Sequence, residues 1–184
     1  MKKIEIKEFG GPEVLEIKNV DIGKPSKNEV LVKNLSFGVN YIDTYHRSGL
    51  YPIPLPSGIG LEACSIIEEI GSKVKLLKVG DRVTRASMPI GTYSEKQIIP
   101  EDKLIKVPDN ISHEVASCIT LKGITAEYLL HRTYQVKKGD KILYHAAAGA
   151  LGQIFCPWAN ALGAEIIGTV GSDEKIKIAK KNGC

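Results

Sequence analysis

The chain has 184 residues, of which 43% are hydrophobic and 25% are charged, a balance typical of globular proteins and not of disordered or fibrous ones. Its formal net charge is only +4, and the one local lysine cluster favours a solvated helix face over nucleic-acid binding. No apolar run approaches the roughly 18 residues of a membrane-spanning helix, so no membrane protein is predicted. The lysine cluster consists of Lys175, Lys177, Lys180 and Lys181.

Cysteine usage indicates the compartment. The four cysteines, Cys64, Cys118, Cys156 and Cys184, show no Cys-x-x-Cys spacing. The first residues alternate as in a strand and lack the apolar segment of a signal peptide. Reduced thiols and a cytoplasmic location are therefore expected.

The first part of the chain, up to about Pro108, is rich in short strand patterns separated by turns. Gly10-Gly11-Pro12 turns the chain early, and Gly71 and Gly80 separate later strands. Short strands at this spacing predict a compact, barrel-like β-module. The predicted strands are Lys3–Lys7, Val14–Ile17, Glu29–Lys33, Cys64–Glu68 and Asp81–Thr84.

From Ser112 the pattern becomes helical. Ser112 is followed by Glu114 and by apolar residues at helical spacing, which predicts an N-cap with an acidic first turn. The helical pattern extends to about Leu130. Beyond it we predict a strand at Ile142–Ala146, a helix from Ala150 to Leu162, a strand at Glu165–Val170 and a helix from Glu174.

A glycine-containing turn joins the first of these late strands to its helix. Gly149 lets the turn run close to a phosphate group, and Gly152 lets the helix pack against the strand. The backbone N–H groups at such a helix start favour a pyrophosphate. Ala147 stands where the first glycine of Gly-x-Gly-x-x-Gly is usual, so the motif alone is weak. An ordinary strand-to-helix turn of any α/β protein remains the alternative.

The end of the second late strand distinguishes the two nicotinamide cofactors. An acidic residue there would bind the ribose hydroxyl of NAD, whereas small residues and a cation accept the extra phosphate of NADP. Gly171 and Ser172 come first, and Lys175 lies one helical turn further. This order favours NADPH, although Asp173 and Glu174 would repel a phosphate that they faced. Ser172 also fits a simple helix cap.

Several motifs together resemble one family. They occur in the family's order along the whole chain: Gly10-Gly11-Pro12-Glu13-Val14-Leu15, the segment Asn40–Pro52, Gly80-Asp81-Arg82-Val83 and His145-Ala146-Ala147-Ala148-Gly149. The chain resembles the quinone oxidoreductase (zeta-crystallin-like) branch of the medium-chain dehydrogenase/reductase superfamily. The resemblance implies a mixed α/β fold, with a GroES-like substrate domain at residues 1–120. It also implies an incomplete doubly wound Rossmann domain at residues 121–184, with NADPH between the two.

The resemblance also implies that zinc is absent. Zinc-dependent members carry a cysteine where this chain begins the helix at Tyr41-Ile42-Asp43, and they carry Gly-His-Glu where it has Gly60-Leu61-Glu62. Leu61 cannot bind a metal, and no tetrahedral His/Cys set remains. His46 and His145 are isolated, and a packing or surface role is expected for both.

The resemblance implies hydride transfer from NADPH to a quinone or a related small-molecule acceptor. The cofactor carries the chemistry and the protein orients it. Asn40, Tyr45 and Thr125 are expected as catalytic residues at the nicotinamide end. From the residues alone, Asn40 also fits a helix cap, and Thr125 also fits a packing position within a helix. The expected cofactor-binding set consists of Asn40, Tyr45 and Thr125 together with Gly149, Leu151, Gly152, Gly171, Ser172 and Lys175.

Two departures from the branch bear on activity. The sequence ends after the second Rossmann helix, where the family continues with further strands and with the edge that usually forms a homodimer. Pro157 replaces the usual glutamine within a helix, at a cost of about 3 kcal/mol. Three possibilities therefore remain: a quinone reductase completed by a second fragment, a non-catalytic remnant, and a module for protein or RNA contacts. For the chain by itself, the remnant is favoured, and no basic patch supports the third.

Overall fold

The computed structural model describes all residues from Met1 to Cys184. The chain forms two compact units, residues 1–120 and residues 121–184. Each unit has its own buried hydrophobic clusters. None of the helices has both the length and the apolar character needed to cross a bilayer.

The first unit consists mainly of antiparallel strands. Eight strands form two sheets, with one helix after the third strand and a second helix that starts near the end of the unit and continues into the second unit. The elements are β1 (Lys2–Ile6), β2 (Glu16–Asn19), β3 (Glu29–Gly38), α1 (Tyr41–Ser48), β4 (Ser57–Gly58), β5 (Glu62–Ile70), β6 (Arg82–Ala86), β7 (Lys96–Pro100), β8 (Ile105–Lys106) and α2 (His113–Tyr128).

The two sheets have strand orders β2-β1-β4 and β7-β3-β5-β6-β8, and every pair is antiparallel. The long central strand β3 contributes Val30 and Val32 to a cluster with Ile67, Val83 and Ile99. Each such aliphatic side chain contributes about 1.5–3 kcal/mol by leaving water. This core holds in place the residues at the carboxyl end of β3, where α1 begins.

Arg85 on β6 is a buried cation without a carboxylate partner. It is 2% exposed, and it donates hydrogen bonds to the carbonyls of Ser87 and Pro89 and, at 2.6 Å, to Oε1 of Gln97. Burial lowers the pKa of Arg85 to about 10. Neutral oxygens of the following loop and of Gln97 therefore accept the hydrogen bonds that water would otherwise accept from this cation.

The predicted start of α2 is confirmed. The backbone N–H of Val115 donates to Oγ of Ser112 at 3.3 Å, which is the hydrogen bond of an N-cap. The helix continues without a break to Tyr128 and ends in a π-helical turn, Leu129–Thr133.

The second unit contains a parallel pair of strands with helices. Its elements after α2 are β9 (Lys141–Tyr144), α3 (Gly152–Ala161), β10 (Glu165–Gly168) and α4 (Ile176–Lys181). β9 and β10 pair in parallel, with Ile142 opposite Ile166. Phe155, Cys156 and Ala159 of α3 pack with Ile166 in one buried cluster. This is the strand–helix–strand unit that the sequence predicts.

The second face of the two-stranded sheet is open. Leu143 and Ile167 lie directly opposite each other in the strand register, and they are 62% and 55% exposed.

Three local predictions are corrected. Residues Pro12–Val14 form a short 3-10 helix, so the predicted strand at Val14–Ile17 begins only at Glu16. Both late strands end earlier than predicted, at Tyr144 and Gly168, and the chain leaves β9 with Ala146 in the left-handed region at φ 56°. Strand β7 was not predicted, although it pairs with β3 over five residues.

Pro157 is the fourth difference. The expectation was a helix-breaking residue, but α3 continues on both sides of it. The ring lies on the exposed face of the helix. Because proline has no N–H, the hydrogen bond to the carbonyl of Gln153 is missing, while the cluster on the opposite face of the helix is intact.

Candidate cofactor site

The turn between β9 and α3 brings a free set of backbone donors together. Ala147 donates its N–H to the carbonyl of Thr169 at 2.9 Å, and Gly149 donates to Ala146 at 2.8 Å. The next three N–H groups, those of Ala150, Leu151 and Gly152, have no acceptor in the protein. They lie at the positive end of the dipole of α3, which favours an anion there.

Gly152 is required for this geometry. A Cβ atom at this position would lie 2.4 Å from the carbonyl oxygen of Ala147 and 2.7 Å from its carbonyl carbon. The start of α3 therefore touches the end of the β9 segment with no room for a side chain. A Cβ on Gly149 would meet the carbonyl oxygen of Ala146 at 3.0 Å, which is a milder restriction.

The segment after β10 offers small residues and a free cation. Gly171, Ser172 and Lys175 are all exposed, and a Cβ at Gly171 would meet nothing within 4 Å. Ser172 stands at the N-cap position but makes no side-chain capping bond. Lys175 has no ion-pair partner. The hydroxyl and the ammonium are therefore both free to bind a ligand phosphate.

Asn40 lies before α1, in unit 1, and is 8% exposed. Its side-chain nitrogen donates to Oε2 of Glu62 at 3.0 Å and to the carbonyl of Gly38 at 3.3 Å. Asn40 and Asp43 form a capping box at the start of α1, in which Oδ2 of Asp43 accepts the backbone N–H of Asn40 at 2.9 Å. The side chain of Asn40 is thus held both by Glu62 and by the start of α1.

Asp43 also holds Tyr93. The hydroxyl of Tyr93 donates to Oδ2 of Asp43 at 2.7 Å. Burial raises the pKa of Tyr93, and the hydrogen bond to Asp43 raises it further. The second oxygen of Asp43, Oδ1, is buried and has no partner. It belongs to the wall of a small cavity of about 160 Å³ that Asn40 and Arg47 also line.

Three members of this polar network, Glu62, Asp43 and Tyr93, were not predicted from the sequence. Asp43 carried a local signal, since an acidic residue three positions after Asn40 fits a capping box. Glu62 and Tyr93 are 22 and 50 residues away from their partners in the chain, so no local pattern indicates them.

Tyr45 lies between two other tyrosines. Its ring centroid is 5.3 Å from that of Tyr41 and 5.1 Å from that of Tyr51, in edge and tilted arrangements. Tyr41 and Tyr51 are 77% and 52% exposed. The half-buried ring of Tyr45 is therefore fixed by contacts that aromatic rings favour.

Thr125 lies within α2, in unit 2. Its hydroxyl donates to the carbonyl of Leu121 one turn earlier, at 2.7 Å. This bond supports the structural interpretation of Thr125 that the sequence left open, while its oxygen can still accept a hydrogen bond.

No group of three metal-binding side chains exists in the structure. Leu61 is buried at the position where zinc-dependent relatives carry histidine. His46 is 7% exposed and its Nδ1 has no partner, while Nδ1 of His145 lies 3.0 Å from the hydroxyl of Thr169.

Comparison with known proteins identifies the family. Residues 26–109 match the Alcohol dehydrogenase GroES-like domain. The chain is 49% identical to the Quinone oxidoreductase of Pseudomonas aeruginosa over 183 residues, which are 99% of this chain and 56% of that protein. The Quinone oxidoreductase 1 of Escherichia coli K12 is also 49% identical, over 98% of this chain and 56% of its own length.

The chain is similar along its whole length to the quinone oxidoreductase branch of the medium-chain dehydrogenase/reductase superfamily. The crystal structure of Escherichia coli quinone oxidoreductase complexed with NADPH superposes with a TM-score of 0.97 at 48% identity, over 100% of this chain and 57% of that one. These matches confirm the resemblance and the mixed α/β fold. The chain spans about half the length of the curated relatives that it matches.

Proposed function

We propose that the protein to which these residues belong transfers a hydride from NADPH to a quinone or a related conjugated carbonyl compound. One observation carries the proposal: three consecutive free N–H groups at the start of α3, beside a glycine that no side chain could replace. Homology supports it, since quinone oxidoreductases of 49% identity cover 98–99% of this chain.

The residues of unit 2 fit a bound dinucleotide. The N–H groups of Leu151 and Gly152 would donate to its pyrophosphate, which a helix start favours. Gly149, which has no side chain, would let the phosphates approach the backbone of the turn closely. Gly171, Ser172 and Lys175 would hold the additional phosphate of NADPH. When bound, NADPH supplies the hydride, and the protein supplies binding and orientation.

Asn40 and Tyr45 in unit 1 and Thr125 in unit 2 are proposed for the nicotinamide and acceptor end. Asn40 is suited to orienting, because Glu62 and Gly38 accept its amide hydrogens and the capping box at the start of α1 fixes its side chain. The half-buried ring of Tyr45 offers an apolar surface for a flat acceptor. Each of these roles stays a proposal about one residue.

The acceptor class is supported by a second relative. The 2-haloacrylate reductase of a Burkholderia species is 44% identical over 182 residues and 95% of this chain. A quinone and an acrylate both present a carbon–carbon double bond conjugated to a carbonyl. We propose the cytoplasm as the compartment, because all four cysteines are free thiols and reduced thiols are typical of the cytosol.

Cofactor preference tests the proposal. Isothermal titration should show NADPH binding at least about tenfold more tightly than NADH, a difference of about 1.4 kcal/mol. Lys175→Glu should abolish the preference. Lys177→Glu, on the exposed side of α4, makes the same change of charge and should keep it. Equal affinity of the unmodified protein for both cofactors would contradict the assignment of Lys175.

A non-catalytic protein is the second candidate, and the one observation that favours it is that Pro157 removes a hydrogen bond from α3, the helix whose start would bind the pyrophosphate. The two candidates differ in turnover. A reductase oxidises NADPH only when a quinone is added, whereas a non-catalytic protein leaves the NADPH absorbance unchanged at every quinone concentration.

A further inference from the structure

Two cysteines of unit 2 lie in the same buried cluster, on different elements. Cys156 on α3 is fully buried, and Cys184, which follows α4, is half-buried and packs against the same cluster. Neither belongs to the proposed cofactor set.

The segment after α4 is held by one hydrogen bond to α4 and one to α3. Cys184 donates its N–H to the carbonyl of Ala179 on α4 at 3.2 Å, and Asn160 on α3 donates its amide to the carbonyl of Gly183 at 3.3 Å. Asn160 follows Cys156 by one helical turn, so both lie on the same side of α3. The segment is thus docked where the thiol of Cys156 lies.

The thiol of Cys184 points into the unit. A Cβ atom on Gly168, at the end of β10, would lie 2.9 Å from Sγ of Cys184. The space that this glycine leaves is filled by the sulfur. Burial raises the pKa of Cys156 to about 12, and a hydrogen bond with the thiol of Cys184 adds to the effect. Both thiols therefore belong to the same buried cluster.

We propose that Cys156 and Cys184 are a redox-modification site, forming a reversible disulfide when a small-molecule disulfide such as oxidised glutathione is the oxidant. The half-buried Cys184 is the sulfur that an oxidant can reach, because Cys156 has no exposed surface. A thiolate at Cys184 attacks one sulfur of the oxidant and releases one thiolate. A mixed disulfide remains on Cys184.

The second step closes the protein disulfide. The sulfur of Cys156 loses its proton to solvent base, attacks the sulfur of Cys184 and expels the second small thiolate. Two protein thiols and one small disulfide give one protein disulfide and two small thiols, so atoms and electrons balance. The high pKa of Cys156 slows this step in proportion to its thiolate fraction, while the packing of both cysteines in one buried cluster favours it over reaction with a second chain.

Peptide mapping tests the proposal without any dependence on cofactor binding. The purified native protein is incubated with oxidised glutathione and its remaining thiols are alkylated. The masses of its tryptic peptides are then measured by mass spectrometry. The expected product joins the peptide of Cys156 to that of Cys184, with a mass two hydrogens below their sum. Dithiothreitol should reverse it.

Matched variants identify each role. Cys118→Ser removes the exposed cysteine of α2 and should leave the cross-link unchanged. Cys156→Ala should stop the reaction at a glutathione adduct on Cys184. If Cys184 keeps its adduct in the unmodified protein, or if only cross-links between chains appear, the proposal is wrong. It is also wrong if oxidised glutathione modifies Cys118 while the thiols of Cys156 and Cys184 stay free and are alkylated.

Discussion

Replacing Gly152 by alanine should destabilise unit 2, because the new methyl group has no room. Its Cβ would lie 2.4, 2.7 and 2.8 Å from the backbone O, C and Cα atoms of Ala147, whereas ordinary contact begins near 3.4 Å. The start of α3 must therefore move by about 1 Å. Backbone atoms cannot rotate aside as the end of a flexible side chain can.

The expected loss follows from what that movement disturbs. Forcing an extra group into packed structure costs about 1–3 kcal/mol, and Phe155, Cys156 and Ala159 on α3 would all lose contacts with their cluster. Alanine regains less than about 1 kcal/mol in helix propensity at the first position of a helix. We expect a net loss of about 2 kcal/mol in the free energy of unfolding.

The single tryptophan of the chain gives the assay. Trp158 lies on α3 and is 37% exposed, so its fluorescence reports the unfolding of this helix in urea. A loss of about 2 kcal/mol corresponds to a midpoint lower by roughly 1–2 M urea at the m-values of small domains. NADPH affinity should fall with it, since the N–H group of Gly152 is displaced.

Gly171→Ala is the matched control. Nothing lies within 4 Å of the added atom and the backbone is not left-handed there, so the free energy of unfolding should stay constant or rise by at most about 1 kcal/mol, and the midpoint should not fall. Equal midpoints for the two alanine variants would refute the steric argument for Gly152.

Three other outcomes are expected. Pro157→Gln should stabilise unit 2 by about 1–3 kcal/mol by restoring one helical hydrogen bond, and a lower urea midpoint by Trp158 fluorescence would show that the ring contributes packing. Lys106 and a backbone N–H lower the pKa of Asp81. The stability from this carboxylate is therefore present above the ordinary aspartate pKa and is lost as pH falls through the lowered value. Thermal melts should show a steeper acid loss for the unmodified protein than for Asp81→Asn, and parallel pH curves would contradict this. Elemental analysis should find no stoichiometric zinc, because Leu61 cannot bind it, and one tightly held zinc per chain would overturn the placement in the zinc-free branch.

Local signals predicted the parts of the fold that depend on neighbouring residues. Ser112 caps α2 as expected, because an N-cap is formed by residues three positions apart. The turn at Gly149 was recognisable for the same reason, since strand, glycine and helix follow one another directly. Strand β7 was missed because its pairing partner β3 lies more than 60 residues earlier in the chain.

The polar network of unit 1 depends on contacts distant in sequence. The bond from Asn40 to Glu62 joins the start of a helix to the start of a strand, and only the sheet brings them together. Pro157 shows the opposite error. The low helix propensity of proline was correctly assessed, but the intact packing on the buried face of α3 outweighs one missing hydrogen bond.

Arg85 has a consequence for protein engineering. The loop Ser87–Ile90 is mostly exposed, with Met88 58% accessible, and exposed loop tips are the usual sites for inserting a tag or a domain. Here the carbonyls of Ser87 and Pro89 solvate a buried guanidinium. An insertion that displaced them would leave a full charge in the interior with Oε1 of Gln97 as its one remaining acceptor, which is strongly unfavourable. A graft in this loop should therefore unfold the β-module, despite the loop's exposed surface.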